Sequence, residues 1–462
     1  MAPPIPPLRA AGAADASCLA WFADLDAAVD RAGVRDAEAD RVDGFAALRV
    51  NRLAAALAPR AARSDAAFAA WLDTLRRLDL EGRRVELANL PVSERPPADR
   101  LDACSAQLAA TVAGDAAARA ALLQSARVPD RYRRVSRVAG LYALTRIPFF
   151  AGVQAWQREH EAAMRAAARD PQPARRFVPE AAPADRDALR FERDALGLPV
   201  IDSAAAERLL RAHAPVFDIE HRGPFDDFGA PAWNAEGRID IDRRRPTVYQ
   251  RIAATLVHGQ ALVQLVYTLW FPERPRTHAL DLLGGKLDGV IVRLTLAPDG
   301  TPILLDTIHA CGCWHLFFPG PGVTPRPDAP AHEEWAFAPA RLPALARGER
   351  VVVRIASATH DVLGVTRTAD TGAHAAVYAH AHESALRTLP RADGGTRSLY
   401  GANGLVQGSE RVERFFFWPM GIASAGAMRQ WGHHATAFVG RRHFDDADLI
   451  ERRFDVDPAN AR

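Results

Sequence analysis

Seven consecutive residues carry His309, Cys311, Cys313 and His315, two imidazoles and two thiols at alternate positions. That donor set suits zinc, with copper or iron as softer-site alternatives. On a straight strand all four would share one face, but at roughly 3.3 Å per residue the two histidines would lie about 20 Å apart. A metal's first shell is only about 2.0–2.3 Å deep. One ion can therefore hold all four only if the chain turns, and Gly312 is the residue whose backbone tolerates such a turn. If only part of the stretch binds, the remaining ligands come from elsewhere, first His258 and His360, then His433, His434 and His443. Three protein ligands and an open position would make a metal-dependent enzyme, hydrolase-like and acting through metal-activated water.

Two other readings use the same region. A thiolate at Cys311 or Cys313, its proton drawn off by a histidine, is a nucleophile or a redox-active thiol. Alternatively the cysteines are structural, and the chain is a non-enzymatic protein holding a small molecule, lipid or partner in an aromatic-lined pocket. The runs Trp270-Phe271-Pro272, Leu316-Phe317-Phe318-Pro319 and Phe415-Phe416-Phe417-Trp418-Pro419 would line it, or else form sheet core. Asp281, Asp288 and Asp306 are candidate carboxylates near the thiols, Asp288 doubling as a turn residue. Ser424, in Ile422-Ala423-Ser424-Ala425-Gly426, lacks the first glycine of a nucleophile elbow and reads as a loop residue. Lys286 is the only lysine in a chain otherwise saturated with arginine. There is no His-Glu-x-x-His, no phosphate-binding Gly-x-x-x-x-Gly-Lys and no Gly-x-Gly-x-x-Gly, which argues against the commonest metalloproteases, nucleotide hydrolases and dinucleotide dehydrogenases.

The elements that must position these groups fall into two grammars. From Cys18 to about Asp170, apolar residues recur at three- and four-residue steps, as at Phe45–Leu57 and Phe68–Leu80, and predict helices broken near Pro59, Pro91 and Pro96. Val138–Trp156 carries one charge, Arg146, between arginine clusters. Its length nears the roughly 20 residues of a membrane span. Pro148 and two glycines favour instead two buried helices meeting at Pro148, with peripheral membrane contact as the alternative.

After a Pro- and Arg-rich connection with one short helix at 203–212, β-branched and aromatic runs take over. Pro246–Val257 and Ala261–Phe271 read as a hairpin turning at His258-Gly259-Gln260, and Gly289–Leu296 with Pro302–His309 as a second. Further strands are expected at Arg350–Ala358, Ala373–Ala379, Arg411–Trp418 and Thr436–Val439. The expected architecture is α+β. A disordered 1–16 precedes an all-α region over 17–170 and a linker over 171–214; a predominantly antiparallel β region over 215–450 and a tail over 451–462 follow.

At 462 residues the chain can bury more than one core, and a net charge of +2 gives no field that would favour nucleic acid. Four cysteines, too few and too uneven for a disulfide framework, are expected to be reduced, with Cys104 a small core residue. The residues Met1–Arg9 lack a signal peptide's apolar core, which favours the cytoplasm, or the periplasm if the start is truncated. Segments 258–319 and 411–446 resemble a bacterial family to which no activity attaches, so the resemblance implies nothing about the reaction.

Overall fold

A computed structural model describes residues 12–180, 191–278, 281–328, 330, 332–370, 372, 374–392 and 394–461. Most of the N-terminus expected to be disordered, 1–11, lies outside the described residues, and helix α1 (Ala13–Ala32) begins just after them. The first region is helical apart from one hairpin, β1 (Asp40–Val42) with β2 (Phe45–Val50), and continues through α2 (Arg52–Ala61), α3 (Asp65–Asn89), α4 (Arg100–Gly114) and α5 (Ala116–Ser125). The helix expected over Phe45–Leu57 is thus half strand. Asn51 divides it, its side chain accepting the Ala54 N–H at 2.9 Å to cap α2.

The expectation of reduced thiols is corrected here. Cys18 on α1 and Cys104 on α4 are joined by a disulfide across 86 residues of chain. Closing so long a loop restricts the unfolded chain, so reduction is expected to cost about 2–4 kcal/mol. Thermal melts with and without reductant check this, the reduced protein melting several degrees lower.

Helices α6 (Arg134–Ala139) and α7 (Tyr142–Arg169) follow. The expectation of two buried helices meeting at Pro148 is overturned: α7 runs unbroken through Pro148, and only His160 and Met164 in it are buried. Pro148 sits on the solvent side, where water can satisfy the carbonyl one turn back that loses its N–H partner.

The large sheet has ten strands. Those in chain order are β3 (Ala174–Pro179), β4 (Val216–Glu220), β7 (Thr247–Val257), β8 (Gln260–Arg274), β9 (Gly285–Leu296), β10 (Pro302–His309), β11 (Leu316–Pro319), β13 (Arg350–Ile355), β14 (Val362–Thr368) and β15 (Ala376–His382). Between them lie α8 (Ser203–Ala212), the side hairpin β5 (Ala230–Trp233) with β6 (Ile239–Asp242), and β12 (Val323–Pro325). The sheet order is β11-β10-β9-β8-β7-β15-β3-β4-β13-β14.

Both expected hairpins form, the first turning at His258-Gly259 with positive φ at both residues, as a two-residue turn requires. The sheet is mixed rather than antiparallel: β15 runs parallel to both β7 and β3, and β13 parallel to β4. Hairpins announce themselves locally, whereas these three pairings join segments far apart in the chain. Nor is Arg411–Trp418 a strand; its core is the short helix α9 (Arg414–Phe417), and Thr436–Val439 has no regular structure.

Side chains alternate between two covered faces. On β8, Leu265, Tyr267, Leu269 and Phe271 enter one core with Val290, Val292 and Leu294 of β9. Val266 and Trp270 enter the opposite core with Ile291, Ile308 and Cys311. Burial on both faces is why these strands read as unbroken apolar runs. The helical region is tied to the sheet and to the segment after β15 by ion pairs: Arg251 of β7 with Glu38 at 2.9 Å, part-buried, and Arg387 with Asp36 at 3.1 Å, buried.

Candidate functional site

Strand β10 ends at His309, and the chain then turns sharply. Gly312 N donates to His309 O at 2.7 Å and His309 N to Cys313 O at 3.0 Å. Gly312 adopts φ +92°, and a Cβ there would sit 2.9 Å from the Ala435 carbonyl oxygen, so the turn needs glycine on both counts. The turn brings the two cysteines together. The Cys313 N–H reaches Cys311 Sγ at 3.4 Å, and Arg429 anchors the loop by donating from Nε to Cys311 O at 2.8 Å. Both thiols are free.

The turn also separates the histidines. His309 stays with the thiols, while His315 faces a different set of groups, its Nε2 at 2.8 Å from Asp306 Oδ2 and its ring stacked on Phe317. Asp306 is held by a two-pronged ion pair with Arg293, at 3.0 and 2.6 Å. Burial pushes His315 down to about 3, so it is neutral at ordinary pH.

His309 lies between two carboxylates, Nδ1 at 3.5 Å from Asp288 and Nε2 at 3.4 Å from Asp361. These are ion pairs rather than directed hydrogen bonds, and neither His309 Nε2 nor the Asp361 Oδ1 facing it has another partner. Burial opposes the charge, but the two carboxylates outweigh it and raise His309 to about 10. Asp288 also takes His360 Nδ1 at 2.8 Å, and the His360 ring stacks flat on Phe271. The result is a buried chain of alternating imidazole and carboxylate, His360–Asp288–His309–Asp361. Its acid members stay ionised despite burial, Asp288 well below the usual carboxylate range.

The two thiols are driven apart in acidity. A hydrogen bond from the Cys313 thiol favours the Cys311 thiolate, burial opposes it and the His309 charge assists, so Cys311 falls to about 6. The same hydrogen bond, with burial, pushes Cys313 well above the ordinary thiol range. A small chamber opens beside them, lined also by Arg274, Arg411, Trp314, Phe417 and Glu413. Burial, reinforced by the Cys311 charge, raises Glu413 to about 8, so a protonated carboxyl faces the thiolate at neutral pH. Gly426, at φ +81°, leaves room for it; a Cβ there would strike the Glu413 carboxyl.

The other candidates lie elsewhere. His258 bonds the Val456 carbonyl at 2.8 Å, at the opposite end of β8 from Arg274. Fifteen extended residues intervene, roughly 50 Å of strand. His433 bonds Ala37 O, and His443 sits between Asp130 and Asp446. His434 is buried with its ring edge-on to Phe444, and burial pushes it down to about 3. Asp281 caps its own loop through the Thr277, Leu283 and Gly284 N–H groups. Asp288 is a buried strand residue, not a turn residue. Ser424 does stand in a loop.

Among the described residues no group of three or more His, Cys, Asp or Glu is placed to hold a metal ion. The aromatic runs split: Trp270, Phe271, Phe317 and Phe318 are core, while Phe415, Phe416 and Trp418 are exposed. Sequence reasoning missed Asp361, Glu413 and Arg429. Asp361 alone had a signal, as the neighbour of His360 at a strand end. Compared with known protein families, with curated proteins and with solved structures, the chain matches none.

Proposed function

We propose that the chain is a thiol-dependent enzyme in which Cys311 is the nucleophile and Cys313 its hydrogen-bonding and resolving partner. One observation carries the reading: two free thiols, brought together by the Gly312 turn, differ widely in acidity. The thiolate is the reactive form, and a nearby imidazolium is the usual means of keeping it at neutral pH. His309 supplies that charge but is a poor proton shuttle, since both its ring nitrogens face carboxylates. That favours thiol–disulfide chemistry over acyl transfer, which needs a histidine free to pass a proton to the leaving group.

In the proposed reaction the Cys311 thiolate attacks one sulfur of a substrate disulfide and the other leaves as a thiolate. Cys313, once deprotonated, attacks Cys311 Sγ. The first substrate sulfur is then released and a Cys311–Cys313 disulfide remains. Glu413 is placed to supply a proton to a departing thiolate. The metal reading has less support, because His258 and His315 are engaged elsewhere. The pocket reading has less too, because a cavity of about 650 Å³ between the helical region and the sheet is not lined by the aromatic runs.

Incubation with glutathione disulfide followed by intact-mass measurement tests the proposal. The parent is expected to end as a protein lighter by two hydrogens, with its internal disulfide closed. Cys313→Ser is expected to stop at a stable glutathione adduct on Cys311. A Cys313→Ser protein that acquires no adduct sinks the reading.

A further inference from the structure

The described surface exposes eleven large hydrophobic residues, and eight of them share one face. Val135, Val138, Leu141, Leu144 and Ile147 stand out from α6 and the first turns of α7, Val135 at 81% and Leu144 at 66% exposure. Beside them Phe415, Phe416 and Trp418 project from α9 and the turn after it. The two segments form one surface. Arg133 N donates to Gly421 O at 2.7 Å, Arg137 Nε to Met420 O at 2.9 Å, and Phe149 meets Phe417 edge-on at 5.1 Å.

Charge on this face is predominantly positive. No Asp or Glu occurs from Arg131 to Arg158 or from Arg414 to Phe444, whereas Arg133, Arg134, Arg146 and Arg414 lie among or beside the apolar residues. Next to the patch is a cleft of about 510 Å³ walled by Arg137, Arg146, Arg441, Arg452 and Arg453, with Glu333 its only acid. Arg441 and Arg452 have aspartate partners, but Arg146 and Arg453 make no ion pair among the described residues, and the Nε of each is buried without a hydrogen bond. Arg453 is held against Trp335 at 3.9 Å.

We propose that this face docks on the surface of an anionic phospholipid bilayer, with α6, the start of α7 and Phe415–Trp418 at the headgroup boundary and an acidic headgroup in the arginine cleft. A cluster of exposed aliphatic side chains with an exposed Trp and a surplus of arginine over acid is the pattern of a segment that lies in a membrane interface. Apolar burial supplies one part of the attraction and the negative leaflet the other. The segment docks rather than crosses, for among the described residues no helix is long and apolar enough to span. A second copy of the chain fits less well, since pairing like faces would bring the arginine clusters together.

Co-sedimentation of the full chain with vesicles of phosphatidylcholine, alone or with added phosphatidylglycerol, tests the assignment. Binding is expected with phosphatidylglycerol, weakening as salt rises, and little without it. Leu144→Ser/Phe415→Ser/Phe416→Ser, all exposed positions, is expected to bind about tenfold or more weakly. Arg134→Gln/Arg146→Gln is expected to lose about as much and to flatten the salt dependence. Melting curves matching the parent's keep folding out of the comparison, and the arginine pair decides should the triple variant melt lower. Equal sedimentation by parent and variants, or none with phosphatidylglycerol, overturns the proposal. So does a dimer in lipid-free buffer that the triple variant converts to monomer.

Discussion

Arg49→Ala is expected to destabilise the protein by about 3–5 kcal/mol, the usual result of breaking a buried ion pair by removing one partner. Arg49 is fully buried and reaches Glu86 at 2.7 Å, Asp79 at 3.2 Å and the Asp36 carbonyl at 2.9 Å. Its loss would leave Asp79 and Glu86 in the core with Arg83 as their shared cation, at 3.3 Å from each, against a total stability of about 5–15 kcal/mol for a typical domain. The sign with pH follows. Burial raises Glu86, but Arg49 first and Arg83 next lower it by more, so its folded-state pKa is depressed. Its contribution is therefore present above the unfolded carboxylate range and is lost as pH falls through the folded value. In Arg49→Ala the largest part of that lowering is gone while Arg83 and Arg41 keep the rest, so the gap between parent and variant should be widest near neutrality and shrink in acid. Urea unfolding at two pH values measures it. Arg84→Ala, which removes an exposed pair with Asp102 at 2.7 Å, should change stability by less than about 1 kcal/mol and serves as the control.

The same cluster shows where sequence reading stops. Arg49 lies in an apolar run that fits a helix by spacing, yet it belongs to a strand, because its guanidinium must meet acids on α3 and in the loop after α1. Local periodicity carries no information about such partners. Where the determining contacts are local, the sequence was readable. The short helix expected at 203–212 forms over Ser203–Ala212, capped by Asp202, and the His258-Gly259 turn sets the register of β7 against β8. The Gly312 bend belongs to this class, since strand geometry alone requires a turn before the two cysteines can act together. The groups that tune the thiols do not. Asp288, Asp361 and Glu413 come from three separate stretches: β9, which pairs with β10, the connection between β13 and β14, and the segment before α9. Cys18 and Cys104 failed for the same reason: each looks like a small core residue on its own helix, and only the contact of α1 with α4 makes them a bond.

The rate at which iodoacetamide alkylates Cys311 is expected to rise with pH around a half-point near 6. An ordinary thiol has a half-point near 8.5, so at pH 7 Cys311 would hold about thirtyfold more of its population as thiolate. Cys311 is buried, so access slows the absolute rate; the half-point, followed by mass mapping of the labelled peptide, is the quantity to compare. The largest lowering influence on Cys311 is the hydrogen bond from the Cys313 thiol, and the His309 charge comes after it. Cys313→Ala removes the first and leaves the second. Its half-point should therefore move up toward the ordinary value. Burial, which always disfavours the thiolate, then has only the imidazolium and the backbone N–H opposing it. Cys313→Ser separates the two roles of that residue: a hydroxyl still donates a hydrogen bond and should keep the half-point low, but it cannot resolve a mixed disulfide. A half-point that stays near 6 in Cys313→Ala would mean that the thiol pair does not set the acidity of Cys311, and the division into nucleophile and resolving partner would then lose its physical basis.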